Sequence, residues 1–297
     1  MLVSAATDNM ELKFGFEATL DMMKAAGFTA FDLSLFGKPA DQISAYFSGD
    51  DYLEKAKALR AYTDKIGLPC NQAHAPFGGN NGNVPKDSEM FGRLVRSIEV
   101  ASVLGAKGIV IHPLQHLAYM GNAEYLKAEN KRFYSDLLPY AEKFGIIIYT
   151  ENMWQRNRNS EAIVQSVCAE AGEMRDYVDM MNSPYFKTLL DIGHAYLTGE
   201  TITNMVKTTG RDRLFGLHIH DVEKNWDVHT LPYTRSVKFE EMIEALAEID
   251  YQGDITFEAG AFHNRLPLEL YPSALRLMAD MGHYFVKQIE LKKNIEN

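Results

Sequence analysis

The chain has 297 residues, 46% of them hydrophobic and 24% charged, with 40 acidic against 30 basic side chains and a formal charge of -10. That length suits one large domain or two ordinary ones, and the composition excludes collagen-like, disordered and disulfide-scaffold classes. The acidic balance works against non-specific attraction to nucleic acid or anionic membrane, and the two cysteines, Cys70 and Cys168, read as reduced thiols of a cytoplasmic protein.

The start, MLVSAATDNMELKF, has neither a basic leader nor a long apolar stretch, so no cleaved signal is expected. No run approaches the roughly 20 apolar residues of a membrane span. The first strand is predicted at Leu2–Ala6. A helix follows over Phe16–Ala26, where Phe16, Leu20, Met23 and Ala26 recur at spacings of three and four before Gly27 ends it. Strands are then expected at Ala30–Leu35 and Pro69–His74, a helix at Met90–Leu104 closed by Gly105, and strands at Gly108–His112 and Ile146–Glu151. Lys187–Asp191 and Leu214–His220 continue the series. A helix at Phe239–Ile249, a strand at Asp254–Glu258 and a last helix at Pro267–Ile289, with Pro267 near its start, complete it.

Several joints read alike, as helix end, glycine and apolar strand: AAGFTAFDLSLF, KIGLPCNQAH, VLGAKGIVIH and KFGIIIYTE. Eight strand–helix units, repeating every roughly 35 residues, imply parallel strands with right-handed crossovers. That is the arithmetic of an α/β fold, a (β/α)8 TIM barrel, here one domain over residues 1–297. An open doubly wound sheet would want a glycine-rich phosphate loop after a strand, and none occurs.

The informative residues end the strands. They are His74, His112, Glu151, Asp191 with His194 three further on, His218, His220 and Asp221, then Asp227 and His229 in the next loop, and finally Glu258. In a barrel these positions converge on the face where active sites sit. One such residue alone would be read as a cap or an ordinary hydrogen-bonding group. So many carboxylates in one mouth would repel each other without a counter-ion, and His with Asp or Glu suits Zn, Mn, Fe or Co. Of the other histidines, His116 reads as a loop or first-turn residue and His283 as structural. His263 is either structural or turned toward substrate.

The stretches HAPF at 74–77, TEN at 150–152, DIGHA at 191–195, HIHD at 218–221 and DVH at 227–229, closed by FEAG, resemble the xylose isomerase-like TIM barrels from the second strand to the eighth. In the isomerase and epimerase branch this resemblance implies one divalent metal (Mn, Zn, Co or Mg) held by Glu151, Asp191, His218 and Glu258. It makes Glu151 and Glu258 the acid and base on opposite faces of a ketose passing through an enediolate, with His194 on the substrate's oxygens. A ketocyclitol or keto-acid dehydratase would use the same machinery. The related endonuclease IV group implies up to three zinc ions, for which His74, His112, His194, Asp227 and His229 are additional counterparts. That keeps a phosphodiesterase of abasic DNA as the alternative.

The strand-seven region departs from the nuclease pattern. Val228 stands between Asp227 and His229, TLPYTRSVKF follows without glycine, and the loop EKNWD sets one Lys against two acids. The expected partner is therefore a small carbohydrate rather than nucleic acid or membrane, and a homo-oligomer is compatible with the fold. Trp154, Arg156 and Trp226 are the expected substrate-binding residues. Arg156 and Arg158 in WQRNRN either grip a substrate phosphate or carboxylate or are simply solvated. Phe36, Phe77 and Tyr233 could wall the pocket or only pack loops. Asp32 either binds a sugar hydroxyl or faces a helix terminus.

Overall fold

The computed structural model describes every residue except 9, 79–81, 158 and 295–297. Eight parallel strands form the centre: β1 Val3–Ala5, β2 Phe31–Ser34, β3 Cys70–His74, β4 Gly108–Val110, β5 Ile147–Glu151, β6 Phe186–Asp191, β7 Leu214–His218 and β8 Ile255–Phe257. Pairing runs continuously from β2 to β7, and β1 pairs with β8. Single bridges from Ala6 to Asp32 and from Ile219 to Phe257 join the two sets and close the cylinder. Closure removes every sheet edge.

The outer ring is α1 Phe16–Ala26, α2 Tyr52–Ile66, α3 Glu89–Leu104, α4 Ala123–Phe144, α5 Ala171–Met181, α6 Ile202–Thr209, α7 Phe239–Glu248 and α8 Tyr271–Lys293. Gly27 and Gly105 end α1 and α3 at positive φ, as the sequence predicts. The last helix starts four residues later than expected. Pro267 caps a short 3-10 turn, and Pro272 stands in the first turn of α8.

Side chains along the strands divide cleanly between two apolar regions. Ala73, Ile109, Ile148, Leu190, Leu217 and Phe257 belong to the main core, between strands and helices. Val110, Tyr149 and Leu189, with Ile147 against them, form a second, smaller cluster inside the cylinder. Because strand side chains alternate, the inward positions of β5 and β6 continue from Tyr149 to Glu151 and from Leu189 to Asp191. The polar residues at the strand ends are thus the next layer of the barrel interior.

Two antiparallel hairpins rise above this layer, pairing Trp154–Arg156 with Ile163–Gln165 after β5, and Asp221–Glu223 with Trp226–Thr230 after β7. Neither hairpin shows a period in the sequence, since three of the four strands have only three residues and the fourth, Trp226–Thr230, pairs in an irregular register. Asp221 anchors the second hairpin. Its carboxylate accepts backbone N–H bonds from Val222, Arg235, Ser236 and Val237 at 2.7–3.0 Å.

Candidate metal centre

Three groups of ligand-type side chains meet at the mouth of the barrel. Glu151, Asp191, His218 and Glu258 each offer an atom within 4.8 Å of the others. His74, His112 and Glu151 form a second group, and His194, His220, Asp227 and His229 a third, by the same measure. Glu151 belongs to the first two groups and lies between them.

In the first group, His218 Nδ1 lies 3.2 Å from Glu151 Oε1 and 3.4 Å from Glu258 Oε2. Its other ring nitrogen lies 3.4 Å from Asp32 Oδ2, and Gln72 Nε2 donates to that same oxygen at 3.0 Å. The sequence offered Asp32 as a sugar ligand or a helix-facing acid. It is buried beside His218 and faces the imidazole without a hydrogen bond to it. Asn152, quoted in a motif but given no role, sets Asp191. The two exchange bonds, Asp191 N–H to Asn152 Oδ1 at 2.7 Å and Asn152 Nδ2 to the Asp191 carbonyl at 2.9 Å.

The surrounding imidazoles are oriented by acceptors that leave no choice of tautomer. Nδ1 of His74 donates to the Ala75 carbonyl, that of His194 to the Asn152 carbonyl and that of His229 to the Glu258 carbonyl, at 2.8–2.9 Å. Each Nε2 is then directed inward. His74 Nε2 meets His112 Nε2 at 3.1 Å, and those of His194 and His229 meet Asp227 Oδ2 at 3.3 and 3.1 Å. His112 Nε2 is 3.0 Å from Glu151 Oε2 without hydrogen-bond alignment, the relation expected of two atoms facing a common third point.

His220 ends the seventh predicted strand and joins the third group. Its Nε2 donates to both oxygens of Asp191 at 3.0 and 2.9 Å, and its ring stacks on His229 at 4.0 Å between centroids. Nδ1 is buried with no hydrogen-bond partner among the described residues, and so are Glu151 Oε2 and Asp227 Oδ1. Gly193 makes room for this ring, since a Cβ there would stand 2.3 Å from His220 Cε1. Buried donor atoms without bonds, on side chains of the right chemistry, fit a divalent cation.

Charge in the cluster is heavily coupled. Burial opposes ionisation of Glu151, but His218 and His112 outweigh it and hold the carboxyl well below its usual range. Burial likewise opposes charge on His218, and Glu258 and Glu151 override it and raise that imidazole well above its usual value. His194 is pushed up to about 10, burial being overcome by Asp191 and Asp227. His74 goes the other way, lowered by burial and by His112. Ligation takes the deprotonated nitrogen, so protons held here are ones that a cation would displace.

A cavity of about 1090 Å³ opens from these groups. Phe77, Glu151, Asp227 and Glu258 line its inner end, and Trp154, Arg156 and Asn157 lie along the first hairpin. Gln155 of that hairpin donates to the Gln115 and Leu117 carbonyls and so ties down the β4 loop. Trp154 also holds the centre itself, donating from Nε1 to Asp227 Oδ2 at 3.0 Å. Trp226 is exposed and stacks on Arg156, outside the cavity lining. Phe36 backs Phe77 and His74. Tyr233 packs on Phe239 and Phe285 of the outer ring, away from the cavity. His116 lines the cavity, His263 is buried beside Tyr271, and His283 bonds the Gly27 carbonyl. Arg158 lies outside the described residues.

A model of the xylose isomerase-like TIM barrel family matches residues 20–281. The chain belongs to that family. Among its relatives, fructoselysine 3-epimerase of Shigella flexneri is 22% identical over 204 residues, which is 69% of this chain and 71% of the relative. A D-tagatose 3-epimerase-like protein superposes with a TM-score of 0.72 at 19% identity, covering 98% of this chain and 99% of the other. D-psicose 3-epimerase from Clostridium cellulolyticum H10 gives 0.73 at 15% identity, with 96% and 99% covered. The IolI protein, solved with a bound zinc atom, gives 0.70 at 17% identity, with 97% and 98% covered. The family's barrel accounts for the strand order described above. Among the described residues, no helix is long and apolar enough to cross a membrane.

Proposed function

We propose that the protein is a metal-dependent sugar isomerase or epimerase that moves a proton next to a carbonyl. One observation carries this reading. Glu151 and Glu258 approach the same nitrogen of His218 from two strands, 3.2 and 3.4 Å away, at the inner end of the cavity. Two carboxylates bracketing one small volume can take a proton from one face of a carbon and return it on the other. A divalent cation held by Glu151, Asp191, His218 and Glu258 would offset negative charge building on the substrate's oxygens. His194, fixed by Asn152, points its Nε2 toward the same space and can donate to a hydroxyl. The epimerase names among the relatives support the same reading.

Its test is exchange of solvent deuterium into a panel of ketoses. Exchange that requires both Glu151 and Glu258 is the expected result. Absence of exchange into every ketose by metal-loaded protein overturns it.

A second reading rests on the other two groups. His74 with His112, and His194 with His220, Asp227 and His229, exceed what a one-metal isomerase needs. A hydrolase of phosphoesters, binding up to three zinc ions, would use them all. Elemental analysis of protein purified without chelator separates the two, with about one metal per chain for the isomerase and about three for the hydrolase. Chelator-sensitive incision of a duplex containing an abasic site would decide for the hydrolase.

A further inference from the structure

The guanidinium of Arg156 lies between the only two indoles in the chain. Its Cζ is 5.4 Å from the ring centroid of Trp154 and 5.1 Å from that of Trp226. Trp154 and Arg156 belong to the hairpin after β5, and Trp226 belongs to the one after β7, so the stack joins two separate loops. With an aromatic on either side, the group presents its edge. Nη1 donates to the Glu161 carbonyl at 3.1 Å, and the side chain borders the cavity.

Two further facts set Arg156 apart. It is the only lysine or arginine among the described residues lining a cavity whose inner end holds Glu151, Asp227 and Glu258. It also forms no ion pair within 4.0 Å with any described carboxylate. A neutral sugar would be served by the amides nearby, Asn157, Asn159 and Gln165. A planar fork held by stacking on two rings is instead suited to paired bonds with an oxyanion.

We propose that Arg156 recognises an oxyanion, phosphate monoester or carboxylate, on the part of the substrate remote from the reacting carbonyl. The proposal rests on the isomerase reading and narrows it to acidic or phosphorylated sugars.

Both tryptophans flank Arg156, so intrinsic tryptophan emission reports this cluster, together with the Trp154 contact to Asp227. Titrations with D-fructose, D-fructuronate and D-fructose 6-phosphate compare one ketose skeleton with no charge, a carboxylate and a phosphate. At least one anionic form should bind about tenfold more tightly than D-fructose, or 1.4 kcal/mol, and the tighter of the two identifies the oxyanion. In Arg156→Gln that preference should vanish, while Arg156→Lys, which keeps the charge without the fork, should retain part of it. Inorganic phosphate alone should perturb the emission of the unmodified protein, with or without chelator, and not that of Arg156→Gln. Equal binding of all three sugars together with no response to phosphate overturns the proposal, and so does a preference that survives in Arg156→Gln. If Arg156→Gln fails to fold, Arg156→Lys decides, and an undiminished preference there overturns the proposal. The isomerase reading fails separately, by absence of deuterium exchange while the phosphate response persists.

Discussion

The indole Nε1–H of Trp154 donates to Asp227 Oδ2 at 3.0 Å, so a residue of the cavity wall also fixes a member of the His194, His220, Asp227 and His229 group. Trp154→Phe keeps the ring and removes the donor. Losses of an outer hydrogen bond to a ligand typically weaken a site by about 10- to 100-fold. Under the three-zinc reading, dialysis against graded chelator, followed by elemental analysis, should show this group releasing its cation first. The Glu151, Asp191, His218 and Glu258 group should retain its own.

Glu258→Gln keeps shape and removes the basic oxygen. Turnover on any exchanging ketose should fall by at least about 100-fold, the scale of one general acid or base. The melting temperature should stay near that of the parent, because Glu258 lies on the mouth and packs little core. Deuterium exchange and thermal unfolding on the same samples check both halves of the statement.

Gly193→Ala would place a methyl 2.3 Å from His220 Cε1 and 2.7 Å from Val222 Cγ1. Overpacking of this kind costs about 1–3 kcal/mol, read from the shift of a urea unfolding midpoint. Combining it with His220→Ala should recover part of that loss, and full additivity of the two substitutions would refute the steric account.

Glu11 supplies a pH signature outside the three ligand groups. Burial raises its carboxyl from the usual 4.5 to about 8, with Asp8 adding in the same direction and Lys38 opposing. One of its oxygens has no hydrogen-bond partner among the described residues. Between those two values the unfolded chain ionises while the folded chain keeps its proton, so this residue lowers stability as pH rises through that window. Glu11→Gln should therefore match the parent near pH ~4 and exceed it near pH ~8, by an amount on the order of a few kcal/mol. Denaturant midpoints across that range would reveal a constant difference if the assignment were wrong.

The barrel was legible because its signals are periodic and repeated. Apolar runs recur eight times, six of them end on His, Asp or Glu, four follow a helix-ending glycine, and the strand at Leu2–Ala6 is found pairing with β8 over Val3–Ala5. The inward direction of Glu151 and Asp191 could be read from alternation alone. His220 was harder to value, because it lies beyond the end of β7, where alternation no longer says which way a ring turns. Asn152 and the Trp154 indole act through bonds to partners 39 and 73 residues away, and Asp32 lies against a ring from a distant strand, and no local pattern encodes those placements. The residue-by-residue roles given to His194 and Asp227 come from orientation, which spacing does not contain.

The division of each strand into inward and outward positions has an evolutionary corollary. Insertion or loss of a single residue within β5 or β6 would exchange Glu151 for Thr150 or Asn152, or Asp191 for Leu190 or Ile192, and destroy the centre in one event. The hairpins above are constrained where they reach the centre, through Trp154 on Asp227 in the first and through Asp227 and His229 in the second, and only their tips can change length without altering a ligand or a strand. Chemistry is thereby inherited as a fixed reading frame, and the choice of substrate is left free to drift in the loops above it.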